Sequence, residues 1–202
     1  MKYKKMILIL GVFITGISGF ISYKNLEKTA AVNNLSKSAI RFHVLANSDT
    51  NEDQNLKMKV KETVVDYIYK STGDFDSVEE TKTFITANDS KIKKLATDTI
   101  HSLGYDYSVN SSFGKQNFPV KSYGDIEFPK GEYTSYTLSI GEGKGHNWWC
   151  VLYPPLCFVD ASTGVVPDSS KELLKDSMTN QEYGTIVKYR FKYLTFLNKY
   201  LD

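Results

Sequence analysis

Apolar positions along residues 50–104 recur at the three- and four-residue spacings of amphipathic helices. The first helix is predicted to begin after the capping residue Thr50 and to end at Gly73. The second is predicted to begin after the capping residue Ser77 and to end at Gly104. Their apolar stripes are Leu56, Val60, Val64, Tyr67 and Ile68, and then Phe84, Ile85, Ile92, Leu95, Ala96, Ile100 and Leu103. Two such helices are expected to form a layer that covers a sheet.

Other segments alternate between apolar and polar residues with the two-residue period of β-strands. A first strand is predicted from residue 39 to residue 46. Its two faces are Ile40, Phe42 and Val44 on one side and Arg41 and His43 on the other. Further strands joined by short turns are predicted between Gly104 and Val159, followed by a last helix from Gln181 to Leu201. The chain is therefore predicted to be an α+β protein in which helices pack on one face of an antiparallel sheet.

The first 22 residues have the pattern of a targeting segment. Three lysines precede an apolar run from Met6 to about Ile21, and no acidic residue occurs in it. The segment is predicted to be a cleaved signal peptide or a retained N-terminal membrane anchor. Either alternative places the remaining chain outside the cytoplasm, because the positive end stays inside. Residues 23–38 are polar and predict a linker, and residues 39–202 predict one folded domain.

The charge balance argues against nucleic acid as a partner. The formal net charge is +2, but removal of the three leader lysines leaves 22 basic and 23 acidic residues. The basic character therefore belongs to the targeting segment, and the folded part has no electrostatic footprint for nucleic acid. An apolar content of 41% is sufficient for a folded core.

The stretch from Ile140 to Asp160 concentrates the unusual residues, including both tryptophans and both cysteines of the chain. Its glycine-rich start predicts either a flexible connection between strands or a loop that docks on a partner. Adjacent tryptophans in a strand point to opposite faces, so one can anchor the core while the other contacts a second surface. The candidate partner-binding residues here are Gly141, Gly143, Gly145, His146, Trp148 and Trp149. Arg41 and His43 are further candidates for partner binding. The alternative for these two residues is a pairing with a carboxylate beneath a helix.

Cys150 and Cys157 are separated by seven positions in a chain predicted to be exported. If residues 153 and 154 form the loop of a hairpin, the two cysteines face each other at a distance that suits a disulfide. Two buried free thiols are the alternative. Pro155 argues against a regular ladder, since proline donates no main-chain hydrogen bond. The disulfide is the favoured interpretation.

No catalytic or metal-binding pattern is recognised in the sequence. A thiol nucleophile would need a cysteine together with His43 or His146, and no known spacing is present. The histidines and cysteines also lack the spacing of a zinc site. The Gly141–Gly145 run differs from a phosphate loop, because Lys144 is followed by glycine and histidine. We therefore predict no catalytic residue, no cofactor and no metal.

Three segments carry a family resemblance. Residues 141–160, GEGKGHNWWCVLYPPLCFVD, resemble the signature of the stage II sporulation protein R family. The resemblance continues in residues 40–64, IRFHVLANSDTNEDQNLKMKVKETV, and in residues 118–133, FPVKSYGDIEFPKGEY. The run of tryptophan, cysteine and proline is long and compositionally rare, and the other two segments occur in the expected order. The match is therefore specific.

The resemblance implies a protein that is made in the forespore of endospore-forming bacteria and exported into the space between the two membranes. There it would activate a membrane-embedded aspartic protease of the mother-cell side, which removes the pro-sequence of sigma-E. This implies a signalling ligand that is not an enzyme. Contact with the membrane is expected only if the N-terminal segment is retained. The competing classes are an envelope thiol hydrolase and a structural envelope protein.

Overall fold

The computed structural model describes residues 2–72, 77–157 and 165–187. The elements in chain order are α1 (Lys2–Lys37), β1 (Ile40–Leu45), α2 (Asn51–Thr72), α3 (Val78–Ser102), β2 (Val109–Phe118), β3 (Lys121–Tyr123), β4 (Ile126–Phe128), β5 (Gly131–Ile140), β6 (Asn147–Tyr153), α4 (Asp168–Asp176) and α5 (Asn180–Ile186). The α+β class is as predicted.

The central sheet has four strands in the order β2-β5-β1-β6. β1 runs parallel to β5 and antiparallel to β6, and β2 runs antiparallel to β5. The sheet is therefore mixed, and the prediction of an antiparallel sheet is wrong. The chain leaves β1 through α2 and α3 and later returns along β5 in the same direction. A pattern of consecutive hairpins cannot reveal such a crossover, because it depends on which distant strands become neighbours.

Both faces of the sheet are covered around β1. Ile40, Phe42 and Val44 of β1 lie in one hydrophobic core with α2 and α3, as predicted. The opposite face is covered by the end of α1, by the β3–β4 hairpin and by α4 and α5, which contribute Leu35, Phe128, Leu174 and Ile186 to a second core. The prediction that helices pack on only one face is wrong. The sequence did not indicate the second layer, because each element contributes few apolar residues to it.

The predicted helix starts lie where the sequence placed them. Thr50 Oγ1 accepts a hydrogen bond from the Asp53 N–H at 3.2 Å before α2. Ser77 Oγ accepts one from the Glu80 N–H at 3.1 Å before α3. Gly104 follows the end of α3 with φ of +85°, a left-handed conformation that glycine adopts without strain.

The polar segment predicted as a linker is helical as far as Lys37, where α1 ends. Leu35 is fully buried in the second core. Asn34 Nδ2 donates a hydrogen bond to Glu182 Oε1 at 2.6 Å, which joins α1 to α5. A helix needs only one apolar face to pack, so a mostly polar composition did not exclude it.

The first part of α1 exposes apolar side chains, among them Phe13 and Phe20. None of the helices in residues 2–72, 77–157 and 165–187 combines the length and apolar character of a membrane-crossing segment. The assignment of residues 1–22 as a signal peptide or anchor stays a prediction.

The predicted last helix is shorter than expected at its C-terminal end. α5 ends at Ile186, and Val187 has an extended backbone and forms a β-bridge with Ile126. The remainder of the predicted helix, from residue 188 to Leu201, lies outside the described residues.

The cysteines are joined across a turn that follows β6. The chain turns back after Tyr153, and the Leu156 N–H donates a hydrogen bond to the Val151 carbonyl oxygen at 3.1 Å. A disulfide joins Cys150 to Cys157, with their Cα atoms 5.0 Å apart. No second strand forms at Leu156 and Cys157, so Pro155 interrupts no ladder. The rest of that predicted strand, to Val159, lies outside the described residues.

Removal of the disulfide is expected to lower the free energy of unfolding by about 2–3 kcal/mol, because it closes a short loop. The double variant Cys150→Ser/Cys157→Ser should show the same loss in urea unfolding as the reduced protein. Alkylation of the exported protein followed by mass spectrometry without reduction checks the bond itself. Recovery of two alkylated cysteines would contradict it.

Candidate functional site

The glycines and tryptophans of the 140–160 stretch belong to two structural parts, the loop 141–146 and the edge strand β6. The loop connects β5 to β6 and lies beside the segment 46–49 that follows β1. β6 pairs with β1 and carries both tryptophans. The loop and β6 therefore lie next to each other at one edge of the sheet.

The glycine loop is bound to the chain's own backbone. The Lys144 N–H donates a hydrogen bond to the Asn47 carbonyl oxygen at 3.2 Å, and the Gly145 N–H donates to that of Ala46 at 2.9 Å. The Glu142 N–H donates to Asn47 Oδ1 at 3.0 Å. The interpretation of this loop as a flexible connection is therefore wrong, since these hydrogen bonds hold it in place.

The glycines are explained by this internal contact. Gly141 and Gly143 have φ of +56° and +62°, in the left-handed region. A Cβ atom on Gly145 would lie 2.1 Å from the backbone oxygen of Ser48, so only glycine fits. The loop presents to solvent the side chains of Glu142, Lys144 and His146.

His146 is exposed and forms a pair with Asp49. The backbone N–H and Nδ1 of His146 both contact Asp49 Oδ1. The backbone hydrogen bond from His146 is the main contribution that holds the pKa of Asp49 below its usual value. The nearby Ser48 hydroxyl donates to Asp53 Oδ2 at 2.6 Å and is not directed at His146. In the described residues, no group of three His, Cys, Asp or Glu side chains could hold a metal ion.

Arg41 is fully buried in an aromatic cage. Its guanidinium carbon lies 4.5 Å from the ring centre of Phe118, 4.8 Å from that of Phe128 and 5.1 Å from that of Tyr133. Nη2 donates a hydrogen bond to the Tyr123 hydroxyl at 3.2 Å, and burial lowers the pKa of the guanidinium. Among the described residues no carboxylate pairs with Arg41, so rings replace the predicted ion pair. Arg41 is not accessible to a partner, which corrects its assignment as a binding residue.

His43 is also interior, with 5% of its surface exposed. Its ring stacks on Trp149 with 4.7 Å between ring centres and meets Phe118 edge-on at 5.4 Å. Nε2 lies 2.7 Å from Gln116 Oε1 and also contacts the Thr137 hydroxyl. Burial lowers the pKa of His43 to about 4, so the ring is neutral at pH 7. His43 therefore supports Trp149 from beneath and does not itself face a partner.

Each tryptophan lies half-buried between an internal ring and a lysine. Trp148 meets Phe42 edge-on at 6.3 Å, and Lys61 Nζ lies 4.8 Å from the centre of its ring. Trp149 stacks on the imidazole described above, and Lys121 Nζ lies 5.8 Å from its ring centre. The two tryptophans occupy opposite faces of the sheet, as predicted, and both keep exposed surface.

The structure thus brings Trp148, Trp149 and the glycine loop together, and it places Arg41 and His43 in the core below. Lys61 and Lys121 were missed in the sequence analysis. No local signal marks them, because their contact with the tryptophans depends on how α2 and β3 pack against β6.

The fold and the site define a mixed-sheet α+β domain whose edge strand displays two supported tryptophans. Comparison with known proteins gives the family. The stage II sporulation protein R family matches residues 36–163, a range that includes the whole central sheet, and the chain belongs to this family. The resemblance found in the sequence is confirmed.

The stage II sporulation protein R of Bacillus subtilis strain 168 is 42% identical to this chain over 126 residues. The alignment covers 62% of this chain and 56% of the relative, so the chain spans about half the length of that protein. No solved structure matches this chain.

The substitution Gly145→Ala is expected to lower the free energy of unfolding by about 2 kcal/mol or more, because the new methyl group meets the backbone oxygen of Ser48. Gly114→Ala is the matched control, since a Cβ there meets nothing within 4 Å. It should change stability by about 1 kcal/mol or less. Urea unfolding of both variants checks the difference, and equal effects would contradict the close packing of the loop.

His43 is expected to make the fold sensitive to acid. The unfolded chain binds a proton at this histidine near pH 6.5, whereas the folded protein resists protonation until about pH 4. The contribution of neutral His43 to the free energy of unfolding is therefore fully present above pH 6.5. It is lost as the pH falls toward 4, and this loss is about 3 kcal/mol at most. His43→Gln should flatten this part of the pH profile of urea unfolding. An unaltered slope in His43→Gln would refute the role of His43 in this pH dependence.

Proposed function

We propose that this protein is an exported signal of sporulation that activates a membrane-embedded aspartic protease, which then processes the precursor of sigma-E. The observation that carries the proposal is membership of the stage II sporulation protein R family over residues 36–163. The name of the Bacillus subtilis relative links that protein to stage II of sporulation. The protein acts by binding and not by catalysis.

Export from the forespore into the intermembrane space agrees with three features. The N-terminal lysines and the apolar run have the pattern of a targeting segment. The exposed Phe13 and Phe20 on α1 leave that apolar surface uncovered by the folded part. The disulfide between Cys150 and Cys157 suits a compartment outside the reducing cytoplasm. Retention of the N-terminal segment would also keep the protein at the membrane.

The side chains that suggest chemistry have structural partners. His43 is packed in the core, and His146 pairs with Asp49. Both cysteines of the chain are in one disulfide, so a thiol nucleophile would first require its reduction. These contacts support a ligand in preference to an envelope thiol hydrolase.

The surface around β6 is the proposed contact with an extracytoplasmic part of the protease. Tryptophan is enriched among residues that dominate binding energy, and Trp148 and Trp149 are held in fixed positions. The bound glycine loop and the disulfide order both ends of β6 before contact, which lowers the entropy cost of binding. Activation requires that this surface bind the active arrangement of the protease more tightly than the inactive one.

Co-expression in a non-sporulating host tests the signalling role. The host carries the full-length protein, the protease and the sigma-E precursor, and immunoblotting measures the cleaved fraction of the precursor. Cleavage is expected only when all three are present. Equal cleavage with and without this protein would remove the proposal.

Trp148→Ala and Trp149→Ala are expected to reduce the cleaved fraction about tenfold or more, because each removes a central contact. The matched control is Tyr105→Ala, which should retain activity. Tyr105 is a half-buried aromatic residue that stacks on Tyr107 just before β2, the strand at the sheet edge opposite β6. Circular dichroism and urea unfolding establish that the variants are folded. Full activity of folded tryptophan variants would exclude this surface.

A further inference from the structure

The outer edge of β6 is open over its first half. β6 is the last strand of the sheet, and its side away from β1 pairs with no other strand in residues 2–72, 77–157 and 165–187. The Val151 carbonyl faces this side and accepts a hydrogen bond from the Leu156 N–H, so the chain itself covers the second half. Residues two apart in a strand direct their main-chain groups the same way. Asn147 and Trp149 therefore present their N–H and C=O groups at the open edge.

Two lysines flank this open edge, one on each face of the sheet. Lys61 Nζ lies over the ring of Trp148, and Lys121 Nζ lies over that of Trp149. Neither lysine contacts a carboxylate in the part of the chain that the structure describes, whereas Lys59, two residues before Lys61, pairs with an exposed glutamate. Positive charge thus borders the edge above and below, and no acidic residue in the described ranges balances it.

We propose that the edge Asn147–Cys150 accepts an extended acidic segment of a partner polypeptide as an added strand. Strand addition uses the free main-chain groups for affinity and pockets beside the edge for specificity. Neighbouring side chains of an added strand point to opposite faces, so two adjacent acidic residues reach Lys61 and Lys121 together. The inference deepens the proposed function and relies on it only for the identity of the partner.

A second copy of this chain is a poor occupant of the same edge. Antiparallel pairing of two β6 strands about a twofold axis perpendicular to the sheet keeps equivalent residues on the same face. Lys61 of one copy would then approach Lys61 of the other, and Lys121 would approach its own equivalent. Like charges that face each other across strands are destabilising. The charge pattern therefore favours an acidic partner strand.

Tryptophan fluorescence reports on this edge alone, since Trp148 and Trp149 are the two tryptophans of the chain. The full-length protein in detergent micelles is titrated with the peptide acetyl-Val-Thr-Glu-Glu-Thr-Val-amide and with its Lys-Lys counterpart. The glutamate peptide is expected to shift the emission with saturation and to bind roughly tenfold or more tightly than the lysine peptide, since two ion pairs are formed or opposed. Equal responses to the two peptides, or no response, overturn the inference.

Reversal of the charge of the two lysines provides a second test of the inference. Lys61→Glu/Lys121→Glu should reverse the preference so that the lysine peptide binds more tightly. Lys91→Glu/Lys130→Glu changes the net charge equally, and Lys91 lies 4.8 Å from the ring centre of Tyr67, as Lys61 does from that of Trp148. This control should keep the wild-type preference. If circular dichroism shows that the first double variant is unfolded, Lys61→Gln/Lys121→Gln replaces it and should abolish the preference. A retained preference for glutamate overturns the inference.

Co-expression with the protease separates the two proposals. If the wild type drives precursor cleavage and the folded Lys61→Glu/Lys121→Glu variant is as active as its control, strand docking is overturned and signalling stands. If the wild type drives no cleavage while the peptides show the expected preference and its reversal, signalling fails and the acidic-strand site stands.

Discussion

β1 lies between β5 and β6. Ile40, Phe42 and Val44 fill the core on one face, and Arg41 and His43 contact the ring of Phe118 on the other. On one face Phe42 supports Trp148, and on the other His43 supports Trp149. The other elements are arranged around this strand. α2 and α3 lie on one face, and the end of α1, the β3–β4 hairpin, α4 and α5 lie on the other. Because a single strand supports both tryptophans, a change in the register of β1 would displace the two rings together.

Several cations of this molecule lie over aromatic rings. Arg41 lies in a cage of aromatic rings in the core, and Lys61 and Lys121 lie over the half-buried tryptophans. A ring face attracts a cation without a carboxylate, which leaves the cation available to another negative group. In the core no such group is needed. At the sheet edge Lys61 and Lys121 pair with no carboxylate of the described residues, and the proposed partner strand would supply one.

Rigid support is what the glycines and cysteines contribute. Gly145 allows the loop before β6 to lie against Ser48, and the disulfide ties Cys150 to the turn that follows the strand. A surface that is ordered before contact loses less entropy on binding than a flexible one. In the proposed function these residues would act on recognition through the geometry of β6, since their own side chains and backbone contact the same chain.

The sequence by itself determined the local structure: the capping residues Thr50 and Ser77, the faces of β1, the opposite directions of Trp148 and Trp149, and the family. These features depend on neighbours within a few residues, where helical and strand periods act directly. Tertiary structure alone decided that β5 lies parallel to β1, that both faces of β1 are covered, and that Arg41 and His43 are interior. It also placed Lys61 and Lys121 over the tryptophans. Such facts depend on which segments distant along the chain become neighbours, and the local pattern of polar and apolar residues is the same whether or not they meet.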